Sequence, residues 1–265
     1  MMDSDSKKRY LIGFSIIAVI FSFVVYKKIT ELPNCQSDAA GKVIVLIDQT
    51  DGITAMQEVE MQKRVRLFLN NQRVKNPLIV AKDRIYEADT PINSLVSVFY
   101  IQGNYKAMTP EFSGCKLPSG SELNALTSDV QVEQRRFDER FLTPLLKTVK
   151  IDGASDKSSP ILESLGAIAR TSFFSSLGAG KPKTRVIIFS DLIQHSGELS
   201  LYGCNSAKDI PDSQLIKFVK DSYKNAEVFL NVIDRTKEDS SNLPSYSCLT
   251  NFWNEELRPV EMEKM

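Results

Sequence analysis

The run Lys42-Val-Ile-Val-Leu-Ile-Asp48 constrains the fold of this chain more than any other segment. Five consecutive apolar residues, four of them β-branched, lead straight into an aspartate and the polar turn Gln49-Thr50-Asp51-Gly52-Ile53-Thr54. No polar residue alternates along the run, so both faces of the strand must be covered. That pattern belongs to a central strand of a parallel sheet. A second run of the same kind, Thr184-Arg-Val-Ile-Ile-Phe-Ser190-Asp191, also ends in an acid. In sheets covered by helices on both faces, ligands collect beyond the carboxyl ends of the central strands. Asp48 and Asp191 are therefore expected to emerge together on one edge of a sheet.

The intervening sequence supplies the helices. Met61, Val65, Phe68 and Leu69 share one face of a helix expected over 54–71. Short strands are expected at 78–81 and 84–88, and a stronger one over Leu95–Ile101. Residues 102–127 carry Gly103, Pro110, Gly114, Pro118 and Gly120 and read as loop. A helix over 130–149 places Phe137, Phe141 and Leu145 on one face. Ser159-Pro160, a hydroxyl cap before a proline at the first helical position, opens another. After the strand that ends at Asp191 come a helix over 211–224, a strand over 227–233 and a helix over 250–257. Strands alternating with helices define the fold class as α/β, a doubly wound and mostly parallel sheet with helices on both faces.

The N-terminus adds one element of a different kind. Tyr10–Tyr26 runs 17 residues without a charge, after Lys7, Lys8 and Arg9 and before Lys27 and Lys28. That length is the lower end of what spans a bilayer, and the flanking tyrosines suit its interfaces. A cleaved signal peptide is the rival reading, but small residues at a cleavage site are missing and two lysines stand there instead. The expected organisation is a tail over 1–9, a transmembrane helix over 10–26, a linker over 27–41 and one α/β domain over 42–265. Cys35, Cys115, Cys204 and Cys248 all fall in loop-like sequence. An even number of loop cysteines suggests disulfides and an oxidising compartment; four free thiols in the cytoplasm is the alternative. Of the three pairings, Cys204 with Cys248 is favoured, because both follow core strands. The topology expected is a single pass with a cytoplasmic N-terminus and an extracytoplasmic domain, periplasmic or at the cell surface. Lys plus Arg and Asp plus Glu balance at 33 each, so no basic excess points to nucleic acid.

Acids and hydroxyls at strand ends form a hard oxygen donor set, suited to Mg²⁺, Mn²⁺ or Ca²⁺ and not to zinc. Asp48-Gln-Thr50-Asp-Gly52 resembles the D-x-S-x-S element of the von Willebrand factor A domain and its metal-ion-dependent adhesion site. Thr50 keeps the first hydroxyl; Gly52 loses the second, with Thr54 nearby but off the pattern. Ser159-Pro-Ile-Leu-Glu163-Ser-Leu resembles the family's T-P helix start. Phe189-Ser190-Asp191 resembles its S/T-D-G, with Leu192 in the glycine position. The resemblance implies a metal held by Asp48, Thr50, Ser159 and Asp191, with Thr54 and His195 beside a partner whose Asp or Glu completes the coordination. The function it implies is that of a protein-binding module in an envelope-associated complex, without catalysis and without a small-molecule substrate. Read singly, each residue has a plainer role: Asp48, Thr54 and Ser159 as helix caps, Thr50 and Asp191 as turn residues, His195 as a polar loop residue.

Two other readings use the same residues. A metal-free scaffold keeps the fold and treats Gly52 as the trace of a lost site. Asp48-Gln-Thr50-Asp-Gly-Ile-Thr54 also resembles the D-K-T-G-T-L-T motif of haloacid-dehalogenase-type phosphoryl-transfer enzymes. That resemblance implies Asp48 as nucleophile, Lys181 or Lys183 on phosphate and Asp191 on Mg²⁺. Against it, no second acid follows Asp191 before Glu198, and Thr50 is a poor general acid–base. With one histidine, no G-x-S-x-G and no phosphate-binding G-x-x-x-x-G-K-[ST] loop, other common catalytic schemes lack their parts.

Overall fold

A computed structural model of the chain describes residues 35, 39–50, 52–69, 90–103, 105, 108–123, 128–151, 158–171, 174, 183–234 and 243–265. Every described residue belongs to one compact unit, Asn34–Met265. The expected transmembrane helix over 10–26 and the strands at 78–81 and 84–88 lie outside the described residues. Among the described residues, no helix is long and apolar enough to cross a membrane.

This unit is built on β1 (Lys42–Asp48), α1 (Ala55–Leu69), β2 (Leu95–Ile101), β3 (Phe112–Cys115), α2 (Val130–Phe137) and α3 (Thr143–Thr148). They are followed by α4 (Ile161–Ala169), β4 (Thr184–Ser190), α5 (Gln214–Tyr223), β5 (Glu227–Val232), α6 (Tyr246–Leu257) and β6 (Glu261–Lys264). The sheet runs β3-β2-β1-β4-β5-β6. Every pairing is parallel except β2 with β3. This is a doubly wound order that reverses between β1 and β4, and that is where such sheets open a crevice at their carboxyl ends. The architecture fits the von Willebrand factor A-like fold that the motifs resemble.

The apolar runs behave as their composition requires. All seven residues of β1 and all seven of β4 are buried. Ile44 and Leu46 of β1, Val186 and Ile188 of β4 and Leu230 of β5 face one layer. Ile161, Leu165 and Ile168 of α4, Val219 of α5 and Trp253 of α6 cover it. On the other face Met61, Val65 and Leu69 of α1 are buried, and Phe68 packs edge-on against Phe229 of β5 at 4.8 Å. Tyr100 donates to the carbonyl of Thr148 at the end of α3.

Several expectations need correction. The helix expected over 130–149 is interrupted by a π turn at Asp138–Leu142. Pro144 follows at once; it lacks the N–H an α-helix would use there. Ser159 is not the cap of α4: Pro160 holds the cap position, with no side-chain cap bond, and the Ser159 hydroxyl turns elsewhere. The expected loop over 102–127 contains β3, and β6 is an edge strand that no apolar run announces.

The cysteines form Cys204–Cys248 and Cys35–Cys115. The loop placement holds for only part of the set, since Cys115 closes β3 and Cys248 lies in the first turn of α6. The first disulfide named ties the loop after β4 to α6. The second holds Cys35 beside buried Leu95 and Cys115 at the sheet edge. Of the residues expected as linker, Cys35 and 39–41 therefore belong to the folded unit: Cys35 is buried, and the Ala40 N–H donates to the Asn93 carbonyl.

Candidate functional site

Asp48 reaches the carboxyl end of β1 only 5% exposed. Its carboxylate gathers four donors from three segments. Oδ1 accepts the Thr50 N–H at 3.0 Å and the Thr50 hydroxyl at 2.6 Å. Oδ2 accepts the hydroxyls of Ser159 and Ser190, each at 2.8 Å. Thr50 comes from the turn after β1, Ser159 from the approach to α4 and Ser190 from the last position of β4. The switch in strand order brings these three hydroxyls onto one acid. A carboxylate offers about four acceptor positions, so Asp48 is fully satisfied without any cationic partner. Burial drives its pKa above the ordinary 3.8; the Thr50, Ser190 and Ser159 hydroxyls and the Thr50 N–H pull it back only in part.

Asp191 sits half-buried on the same edge. Its Oδ1 accepts the N–H of Ile193 at 2.8 Å, closing a turn. A cavity of about 10 Å³ separates the two acids, lined also by Gly52, Ser190 and Asp234. That is the room of about one water or one small ion. A side-chain carbon added at Gly52 meets nothing within 4 Å.

Leu192 takes the place of the resembled family's glycine and keeps a glycine-like backbone, with φ at 64°. A leucine held there costs roughly 1–3 kcal/mol, and the surroundings must over-determine it. They do so through contacts on three sides. The side chain is buried in the core, the Leu192 N–H donates to Ser190 Oγ at 2.9 Å, and the carbonyl accepts the Trp253 indole N–H at 2.8 Å. Trp253→Phe is accordingly expected to cost about 1–2 kcal/mol, through an unsatisfied buried carbonyl. The change is measurable as a lower urea midpoint with an unchanged m-value.

The remaining expected residues are placed less closely. Thr54 does not reach Asp48. Its hydroxyl accepts the Gln57 N–H at 3.2 Å while Gln57 Oε1 accepts the Thr54 N–H at 2.9 Å, a reciprocal cap of α1. The cap of that helix is thus Thr54 and not Asp48. The His195 N–H donates to the Ser159 carbonyl at 2.8 Å, and its ring stands edge-on to Tyr202 at 5.0 Å. His195 steadies the backbone of Ser159 and does not touch Asp48. Ser190 was absent from the expected donor set, although Phe189-Ser190-Asp191 carries the signal.

The donor chemistry suits a hard divalent cation. Each of the three hydroxyls commits its proton to Asp48, which leaves oxygen lone pairs for an ion. Among the described residues, no three Asp, Glu, His or Cys side chains converge to hold a metal. Any ion here would rest on hydroxyl oxygens, with Asp48 behind them and Asp191 beside them. The phosphoryl-transfer roles meet physical obstacles. Every acceptor position of Asp48 is occupied, so it is a poor nucleophile. Lys183 precedes β4 at the opposite end of the sheet and pairs there with Glu227 at 3.1 Å; Lys181 lies outside the described residues.

No protein-family model matches the chain, and no curated protein matches it. Solved structures do. The conserved hypothetical protein BatB from Bacteroides thetaiotaomicron matches 84% of this chain and 89% of its own at 9% identity, with a TM-score of 0.41. An aerotolerance-related membrane protein from Bacteroides fragilis matches 84% of this chain and 90% of its own at 13% identity, with a TM-score of 0.35. Proximal thread matrix protein 1 from the mussel byssus matches 75% of this chain and 39% of its own at 13% identity, with a TM-score of 0.39. At such identities and TM-scores these likenesses say nothing about the chemistry of the site.

Proposed function

We propose that this chain is a membrane-tethered, von Willebrand factor A-like protein-binding module of an envelope-associated complex. Its Asp48 crevice holds a divalent cation, Mg²⁺ or alternatively Mn²⁺ or Ca²⁺, that engages an acidic side chain of a protein partner. The observation that carries this reading is the convergence of Thr50, Ser159 and Ser190 on a buried carboxylate at the switch point of the sheet. Thr50, Ser159 and Ser190 would supply hydroxyl oxygens, and Asp48 and Asp191 would supply negative charge. When bound, the cation would offer a strong electrostatic attraction to an incoming carboxylate. The protein's own residues orient the hydroxyls, fix Leu192 and Asp191 and leave room at Gly52. The charge-free run over 10–26 supports the tether, and the pairing of all four cysteines supports an extracytoplasmic domain.

A metal-free scaffold is the second reading, favoured by the complete hydrogen bonding of Asp48. Thermal melting in EDTA and in Mg²⁺ separates the two. An ion at about 100 times its Kd adds about 2.7 kcal/mol. The shift is expected in the parent and reduced in Ser159→Ala; no shift in the parent would leave the scaffold reading standing. Gly52→Ser returns a hydroxyl to an open position and is expected to strengthen Mg²⁺ binding on the order of tenfold. An unchanged or weakened Mg²⁺ titration in Gly52→Ser would count against a cation in this crevice.

A further inference from the structure

A second concavity lies away from Asp48, along α4 and α5. It is a groove of about 680 Å³, and Met108, Glu163, Arg170, Glu198, Leu215 and Phe218 contribute to its walls. This volume is in the range of sites that take small organic ligands and short peptides. Its charged groups are unusual. Glu163 is 5% exposed. Its Oε2 accepts from Gln194 Nε2 at 2.9 Å, while its Oε1, fully buried, has no hydrogen-bond partner among the described residues. A buried carboxylate oxygen left without a donor is costly, and such oxygens in folded proteins are few.

Arg170 stands two turns further along α4. Its guanidinium lies over the Phe218 ring at 4.4 Å and donates to the Gly166 carbonyl at 3.3 Å. No carboxylate pairs with it among the described residues. Gly166 lets α5 come close beneath these groups, since a side-chain carbon there would stand 3.0 Å from Leu215 Cδ1. Among the described residues the groove therefore carries a carboxylate oxygen without a donor and a guanidinium without an ion pair, separated by an apolar floor.

We propose that this groove binds a short peptide with free termini, its ammonium group donating to Glu163 Oε1 and its carboxylate meeting Arg170. The spacing sets the length. Glu163 and Arg170 are about 10 Å apart along the helix axis at about 1.5 Å per residue, and the guanidinium leans back one turn toward Gly166. A ligand with charges about 5–10 Å apart fits, which is a di- or tripeptide at about 3.5 Å per residue. Leu215, Phe218 and Met108 favour apolar side chains between the ends. The inference is independent of the cation at Asp48.

Isothermal titration calorimetry of the full chain in detergent micelles, with EDTA present, tests it. The probe is tri-leucine with free termini, beside its N-acetylated and C-amidated form. Submillimolar binding of the free peptide is expected, and at least tenfold weaker binding of the blocked one. Glu163→Gln, which keeps the size and the Gln194 contact, should weaken the free peptide at least tenfold. Arg170→Met, which keeps an apolar stem on Phe218, should do the same and serves if the first variant does not fold. Equal affinity for the blocked peptide, unchanged affinity in a folded variant, or no binding of tri-leucine at millimolar concentration would each overturn the proposal.

Discussion

Asp48→Ala is expected to lower the unfolding free energy by about 3 kcal/mol and to remove every effect of Mg²⁺ on stability. The substitution strips the acceptor from four donors at once. A buried donor left unsatisfied costs about 1–3 kcal/mol, and freely rotating hydroxyls recover part of that by turning to other acceptors. The sum stays well below four full penalties for that reason. Asp48→Asn should be much milder, near 1 kcal/mol, because its carbonyl oxygen still accepts and its amide can donate to hydroxyl oxygens. The pair of variants thus separates the architectural role of the side chain from its charge. Urea unfolding with an unchanged m-value provides the measurement.

The same carboxyl sets a pH dependence. Burial raises the folded-state pKa of Asp48 above its ordinary 3.8, so the folded state holds this proton more tightly than the unfolded chain. Its contribution is fully present below 3.8 and is lost as pH rises through the higher folded value. In EDTA, Asp48→Asn should therefore gain on the parent as pH rises from 3.8 upward. A cation bound there would reverse the preference by favouring the ionised form. A difference between parent and variant that stays flat across that window would mean that the charge of Asp48 is compensated in some other way.

Loss of the Cys35–Cys115 disulfide is the second large effect. It closes a separation of 80 residues, and the chain-entropy account gives about 4.5 kcal/mol for a loop of that length. The bond also holds the start of the folded unit against β3, a four-residue edge strand. Without it, Cys35 would no longer be fastened beside Leu95, and β3 would rest on its pairing with β2 and on the packing of Phe112 against Phe141. Cys204–Cys248 closes 44 residues, for which the same account gives about 4 kcal/mol. The double replacement Cys35→Ala/Cys115→Ala is expected to shift the urea midpoint at least as far as Cys204→Ala/Cys248→Ala. A loss under 1 kcal/mol for the Cys35–Cys115 pair would show that other contacts already restrain this end of the unit.

Much of this architecture could be read from residue patterns because the central strands are apolar throughout. Lys42–Asp48 and Thr184–Ser190 announce themselves, and with them the edge where Asp48 and Asp191 emerge. The outer strands are hidden for the opposite reason. Phe112–Cys115 includes a serine and a glycine, and Glu261–Lys264 is three-quarters charged. Edge strands owe their existence to the neighbour they pair with and often carry charge on purpose. The hydroxyls of the site were visible as residue types, but their grouping was not. Ser159 reads locally as a helix cap. Only the juxtaposition of β1, β4 and the approach to α4 turns it toward Asp48. Ser190 sits beside Asp191, whose charge is the stronger local signal of a metal ligand. Thr54 shows the converse, a hydroxyl near the motif that serves its own helix.

A divalent cation in the Asp48 crevice is what the proposed function depends on. Titration of the full chain with Mn²⁺, followed by electron paramagnetic resonance of the free ion, is the decisive measurement. One Mn²⁺ bound per chain, competed by Mg²⁺ and lost in a folded Asp48→Asn variant, is the predicted result. No bound Mn²⁺ at millimolar concentration, or equal binding by Asp48→Asn, would contradict it.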